Sequence, residues 1–394
     1  MTSTRRVALI AGAVTVTGIL ANTLIAPVLP DIERAFDASP VELGAVVALA
    51  SLPGIVLAPV IGVLADRFGR RAVLVPCLVL FGLGGLMAMV APTLGVLLLA
   101  RFAQGSGGAG LVNLAVVILG DTFDGTARAR AIGRNAAVLT GGLAIIPFIG
   151  GLLSALGGWR LAFAPYALAL PVAFAVQRTL SRDRPSVATA LGVQLRETRP
   201  YITSINAIAM IGAGFCSFVI IFGLGLTALP LHLDREFGLG AAGRGLVLGI
   251  PAAASVVVSL RMGRLVARFG TWSLVVSGFV VFTVALVGIA TMSVFGLVVV
   301  ATVLFGVGEA LTFVPLQTYA TEIAPAAYRG VVVAFLVAGA RAGQSAGPIG
   351  SGSFIGVAST DAAFLSGAAF SGAVALTIAG SRARVRDRIP RSAD

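Results

Sequence analysis

A ten-residue charged turn between two uncharged stretches limits what this chain can fold into more than any other feature. It covers residues 62–71, GVLADRFGRR; residues 41–65 are otherwise apolar apart from Glu42 and Ser51, and residues 72–91 carry no charge. At ~1.5 Å per residue, each run crosses the ~30 Å hydrocarbon core of a bilayer as a helix. The turn therefore joins two membrane spans. Its three arginines and single aspartate place it on the cytoplasmic side, where short loops are enriched in positive charge. Gly62 permits close helix contact and Gly69 a backbone turn at positive φ, while Asp66 can meet a helix N-terminus or an arginine.

The same contrast runs through all 394 residues: 58% are hydrophobic, 11% are charged, and the mean hydropathy is +1.02. No soluble globular domain combines so little charge with so much apolar surface. The length leaves room for about a dozen spans of about 20 residues and no soluble catalytic domain. The net charge of +12 comes from 28 basic residues, every one an arginine. Roughly three quarters of them fall at alternate loops and the termini, so the excess is an orientation signal, with affinity for anionic lipid headgroups, and calls for no nucleic acid. Cys77 and Cys216 lie in separate apolar runs and read as small hydrophobes without a disulfide. Arg5 and Arg6 imitate a signal peptide, but the apolar run continues to residue 29 without a small-residue cleavage site, which predicts a retained first helix.

Twelve spans are expected, the first over 7–29 and the seventh over 201–229, with both termini cytoplasmic. Asp31, Glu33 and Asp37 fall in the first outer connection, and Trp159 is placed as an interfacial anchor. Arginine, proline and hydroxyl residues concentrate between the sixth and seventh spans. The expected division is an N-terminal bundle over 1–177, a cytoplasmic linker over 178–200 and a C-terminal bundle over 201–394 with a basic tail. An internal repeat supports it. An offset of 201 positions lays Gly62, Leu64, Arg67, Phe68 and Gly69 on Gly263, Leu265, Arg268, Phe269 and Gly270. Without gaps it also lays Phe36 on Phe237, Gly105 on Gly306, Gly107 on Gly308, Asp121 on Glu322, Arg128 on Arg329 and Pro147 on Pro348.

The turn at 62–71 resembles the loop signature G-x-L-A-D-R-x-G-R-[RK] of the major facilitator superfamily at every fixed position. That resemblance implies an all-α polytopic membrane protein, with twelve transmembrane helices in two pseudo-symmetric six-helix bundles around a midplane cavity. It implies an inner gate formed by Asp66, Arg70 and Arg128, with Asp66 facing the start of helix 11 and Gly62, Arg67 and Gly69 completing the motif. The second-half loop has Ala267 where Asp66 stands in the first.

A charge at a helix centre costs about 2.5–3.5 kcal/mol on insertion scales, so the intramembrane charges Arg101, Glu309 and Arg341 need a partner, a cavity or a function. Arg101 lies in a run similar to the family's helix 4 motif, whose arginine is associated with proton transfer in proton-coupled members. The alternative is a structural pair with Glu42 or with carbonyls. Glu309 and Arg341 fall at similar depth on neighbouring helices, which predicts an ion pair, either static or switched by a proton. Helix 5 carries Gly142, Pro147, Gly150 and Gly151 in an arrangement that looks like the antiporter signature G-x3-G-P-x2-G-G. Ile146 stands in place of one glycine, and helix 11 has Gly347-Pro348. Both read as hinges or as kinked, small-residue packing.

Asn22, Gln104, Asn113, Gln317 and Gln344 are candidate cavity groups, with interhelical hydrogen bonding as the alternative. Phe102, Phe305, Phe313 and Phe335 could line an apolar pocket or face lipid. His232 stands alone in a predicted loop, which argues against a metal site. There is no phosphate-binding loop, and the glycines at 105–110 lack the strand of a dinucleotide fold, so no cofactor is expected. The expected function is secondary active transport by alternating access. By resemblance to twelve-helix drug:proton antiporters it is proton-coupled efflux of small lipophilic or cationic compounds, in a bacterial inner membrane, with a small molecule, protons and membrane lipids as partners. Family members usually act as monomers. The alternatives are a sugar, metabolite or lipid carrier and, further off, a non-transporting sensor. No Ser-His, paired-Asp or zinc arrangement suggests an enzyme.

Overall fold

The computed structural model describes residues 3–180, 200–323 and 329–386. Most of the expected linker and the end of the basic tail lie outside the described residues. The described chain forms twelve helices long and apolar enough to span a membrane: α1 Thr4–Phe36, α2 Pro40–Phe68, α3 Arg70–Met89, α4 Leu94–Thr122, α5 Gly125–Gly157, α6 Trp159–Thr179, α7 Ile205–Phe237, α8 Ala241–Ser259, α9 Thr271–Thr291, α10 Phe295–Glu322, α11 Arg329–Val357 and α12 Thr360–Ser381. No strand occurs among the described residues. Helices alone suit hydrocarbon, because each satisfies its own backbone polar groups.

The end bearing the N-terminus and the α2–α3 turn is called the terminal end, and the opposite one the distal end. Gly69 stops α2 at φ +92°, and Gly270 ends the short helix Met262–Phe269 before α9 at φ +76°, so both repeat turns use the backbone freedom of glycine. At the distal end α1 and α7 run further than the sequence predicts. Pro27 and Pro30 sit at local helix starts, where proline is tolerated. The helix thus carries Asp31 and Glu33 inside it until Asp37 terminates it in the left-handed region, φ 49°. Pro230 plays the same part in α7, which continues to Phe237 and holds His232 in a helix rather than a loop. Trp159 is also not an interfacial anchor: it is buried, with its ring edge-on to Phe36 and Phe163 at 5.3 and 5.9 Å.

The two halves meet along α5 against α8 and α2 against α11. At each seam glycine lets backbone touch backbone. A Cβ on Gly151 would overlap the Ala241 carbonyl, and one on Gly245 the Pro147 carbonyl. In the other seam Gly352 lies against the Pro40 carbonyl and Gly44 against that of Pro348. These are the same two contacts shifted by 201 positions, so the sequence repeat is a structural pseudo-two-fold axis. The closest backbone contacts of both seams lie towards the distal side. α11 packs mainly on Pro40–Ala48 of α2 and far less on Pro53–Phe68, and the glycine contacts of α5 lie between Ala144 and Gly151. The tightest joints between the halves are thus distal.

Gly151→Ala and Gly352→Ala should therefore destabilise the protein by similar amounts, about 1–3 kcal/mol each, through overpacking. Gly12→Ala, with nothing within 4 Å of the added methyl, should be neutral or stabilising. Thermal unfolding in detergent compares the three.

Candidate functional site

Four clusters of polar side chains interrupt the apolar interior among the described residues. The first is built around Arg101 in α4, which is 0% exposed. Its Nε donates to the Val46 carbonyl of α2 at 3.0 Å, Nη1 to Gln104 Oε1 at 2.5 Å and Nη2 to Asn22 Oδ1 of α1 at 2.5 Å. Asn22 Nδ2 donates onward to Ser51 Oγ at 2.9 Å. Glu42 is not its partner, since that carboxylate closes a capping box with Ser39 at the start of α2. Arg101 is thus a buried cation held by neutral acceptors. Asn22 and Gln104 are buried in this network, with Gln104 Nε2 left without a partner. Among the other candidates Asn113 and Gln317 are exposed and Gln344 is half-buried. Phe305 packs edge-on to Phe282 at 4.9 Å within the core.

The second cluster lies at mid-depth between the halves. Arg341 of α11 does not pair with Glu309. It crosses to the other half, where its Nη2 donates to the Ala109 carbonyl at 2.9 Å and its guanidinium fills the space that Gly54 leaves free. The α4 helix is interrupted at Ala109–Gly110, so a carbonyl is turned out to receive the charge. The Arg341 Nε is buried without a partner. The carboxylate of Glu309, half-buried on α10, makes no hydrogen bond or ion pair with any described residue, while the backbone carbonyl accepts from Thr312 Oγ1 at 3.0 Å. The expected pair fails because Arg341 finds a carbonyl acceptor across the central gap.

The third cluster, at the terminal end, holds Asp66, Arg70 and Asp121. Arg70 pairs with Asp66 and donates from Nε to Asp121 Oδ2 at 3.2 Å. Arg128 does not join them; it turns to Asp124 at 3.2 Å and to the Phe123 carbonyl at 2.7 Å. Arg67 stacks over Phe68 at 5.4 Å, and Gly62 touches nothing that an added methyl would meet. Asp66 is therefore held within its own half and does not reach α11.

The hinge candidates form seams. Gly142 abuts Ile19 of α1, Gly150 the Leu24 carbonyl, Pro147 and Gly151 make the contacts with α8 described above, and Gly347 meets Val219 and Gly223 where α7 winds in wider π turns over Ile220–Ala228. Pro348 offers its carbonyl to Gly44.

The sequence reading missed a distal cluster. Arg244 of α8 is 0% exposed; it pairs with Asp234 of α7 and donates from Nη2 to Asp31 Oδ2 of α1 at 2.8 Å. Its Nε donates to the Pro27 carbonyl at 2.8 Å. Arg34 donates to Asp234 at 2.7 Å and Arg235 to Glu33 at 2.6 Å. The repeat carried the signal, since its offset lays Glu33-Arg34 on Asp234-Arg235. Nearby, His232 Nδ1 lies 3.2 Å from both Thr360 Oγ1 and Asp361 Oδ1. No group of three or more metal-ligating side chains occurs among the described residues.

Twelve spanning helices, two symmetry-related seams and charged clusters at both ends and at mid-depth describe a transporter rather than an enzyme. The Major Facilitator Superfamily model matches residues 11–225 and again 210–393, and the chain belongs to that family. Among similar proteins, the class B tetracycline resistance protein of Escherichia coli is 28% identical over 71% of this chain and 71% of its own length. The bacillibactin exporter of Bacillus subtilis is 32% identical over 34% of this chain and 35% of its own length, and the quinolone resistance protein NorA of Staphylococcus aureus is 29% identical over 51% of each. In fold the chain resembles a bacterial homologue of the human lysosomal transporter Spinster, solved inward-facing and unoccupied. The TM-score is 0.78 at 18% identity, with both chains fully covered. The protein is an integral membrane transporter of this superfamily.

Arg101→Lys should lose two of the three hydrogen-bonding directions, because an ammonium lacks the planar fork. Asn22→Ala should cost about 1–3 kcal/mol by leaving Nη2 unsatisfied. Melting temperatures of both variants against wild type would check this.

Proposed function

We propose that the protein exports small lipophilic or cationic compounds in exchange for protons, by rocking of residues 1–177 against 201–394 about the linker at 178–200. The observation that carries the reading is Glu309. A carboxylate in the middle of a membrane helix, without an ionic or hydrogen-bonding partner, is costly as an anion. It is relieved either by a proton or by a cationic substrate, and competition between the two is the simplest form of antiport. Arg341 supports the assignment, because by engaging Ala109 across the central gap it leaves Glu309 free to take either ligand. Two of the relatives compared above are named for resistance to drugs, which fits small-molecule efflux.

In this reading the terminal end is cytoplasmic and open, both termini are inside, the membrane is the bacterial inner membrane and the unit is a monomer. Asn113, Gln317 and Gln344 are then the polar groups placed to meet substrate. Asp66 and Arg70 are the inner gate residues that re-pair with α11 when that end closes.

The test is uptake of a fluorescent lipophilic cation into proteoliposomes with and without a pH gradient. Wild type should accumulate the probe only with the gradient. Glu309→Gln, neutral at every pH, should lose gradient-driven accumulation by at least about tenfold, a barrier change of ~1.4 kcal/mol. Uptake indifferent to the gradient, or retained in Glu309→Gln, would refute proton exchange at this residue.

A further inference from the structure

The distal cluster holds six charges, Asp31, Glu33 and Arg34 on α1 with Asp234 and Arg235 on α7 and Arg244 on α8, arranged about the pseudo-two-fold axis. Arg34 reaches Asp234, and Arg235 reaches Glu33; these are the same contact exchanged between the repeats. Arg244 breaks the symmetry. The position 201 before it is Leu43, so only one half supplies the buried cation. From α8 it bridges Asp31 of the other half and Asp234 of its own, and it takes the Pro27 carbonyl across the seam.

We propose that Arg244 is the hub of a partner-exchange gate that holds the distal end shut and releases it without stranding a buried charge. Four contacts cross between the halves: Arg244 with Asp31, Arg244 with the Pro27 carbonyl, Arg34 with Asp234, and Arg235 with Glu33. Four stay within a half: Asp31 accepts from Arg34 at 2.5 Å and from Ser154 Oγ at 3.2 Å, Asp234 accepts from Arg244, and Arg244 donates to the Leu239 carbonyl at 3.1 Å. When the halves part distally, Asp31 keeps Arg34 and Asp234 keeps Arg244. Only Glu33 and Arg235 lose their ionic partner, and both already reach solvent, with side chains 23% and 36% exposed. Removing one member of a buried pair ordinarily costs several kcal/mol because a charge is left alone. Here each inner carboxylate has a second arginine in its own half, so opening replaces partners instead of losing them. Arg244 is a positioning residue, since it touches neither substrate nor proton-binding carboxylate.

The sign of each substitution follows. Without Arg244, two of the four contacts across the seam are gone, three carboxylates face two arginines, and Asp31 and Asp234 are left to share Arg34 alone. Like charges so placed repel, which favours the distally open form. Asp31→Asn should act more weakly, because Arg244 retains Asp234. Glu33→Arg and Arg235→Glu should each open the gate by setting like charges opposite one another, and the double exchange should close it again.

The inference rests on the alternating-access reading, and its test needs no transport. Nitroxide labels at Leu156→Cys on one half and Val294→Cys on the other, both exposed and distal, are placed in a chain with Cys77→Ala and Cys216→Ala and reconstituted in lipid nanodiscs. Wild type should give one short-distance population. Arg244→Gln should raise the ratio of long to short distances at least about tenfold. Glu33→Arg and Arg235→Glu should do so singly, and their combination should return the wild-type distribution. Should Arg244→Gln not reconstitute, the surface pair alone decides. A long-distance population that is unchanged in the single variants, or that persists in the double exchange, would overturn the proposal. Absence of proton-driven uptake in the wild type, with these distance shifts intact, would count against proton exchange at Glu309 and leave the gate standing.

Discussion

Everything in this protein follows from putting two hydrophobic bundles in contact where no water is present. In hydrocarbon, apolar surface gains nothing by leaving the solvent, so helices associate through close van der Waals approach and a few polar contacts. The two seams show both. Gly44, Gly151, Gly245 and Gly352 bring backbone against backbone, and Arg244 ties the ends of the seams with ionic contacts. Small residues provide close approach without interlocking side chains.

Three intramembrane or seam arginines show how one kind of charge is given three uses. Arg101 is sealed inside one half among Asn22, Gln104 and a carbonyl, all neutral, so its cation is held by geometry alone. Arg341 spans the halves through a single carbonyl released where α4 is interrupted. Arg244 is shared between two carboxylates belonging to opposite halves. The first arrangement braces a bundle, and the second leaves Glu309 unclaimed. The third gives an interface with two ways of being neutral. An arginine suits all of these because its planar fork divides its hydrogen bonds among separate acceptors, which a lysine cannot do.

Much of the fold was legible because its causes are local. Long uncharged runs, the glycine at each repeat turn and the offset of 201 positions gave twelve helices and a two-fold repeat. Where the reading went astray, the reason was also physical. Proline at 27, 30 and 230 looked like the end of a helix but sits at the first turn of a local helical segment, where its missing N–H costs nothing. α1 and α7 therefore continued past the predicted boundary, carrying Asp31, Glu33 and His232 into helices. The site was less legible. Glu309 and Arg341 stand at matching depth on adjacent helices, yet depth says nothing of the direction in which a long side chain turns.

The sequence by itself determined that this chain is a polytopic helical membrane protein of repeated halves, because hydropathy, turn glycines and repeat spacing are written residue by residue. Only the tertiary structure decided which charges meet. Arg244 lies more than two hundred positions from Asp31, and Arg341 a similar distance from Ala109. An ion pair depends on the relative tilt of two bundles, which no single stretch of chain encodes. Asp66 and Arg244 thus owe their partners to how the two bundles are packed against each other.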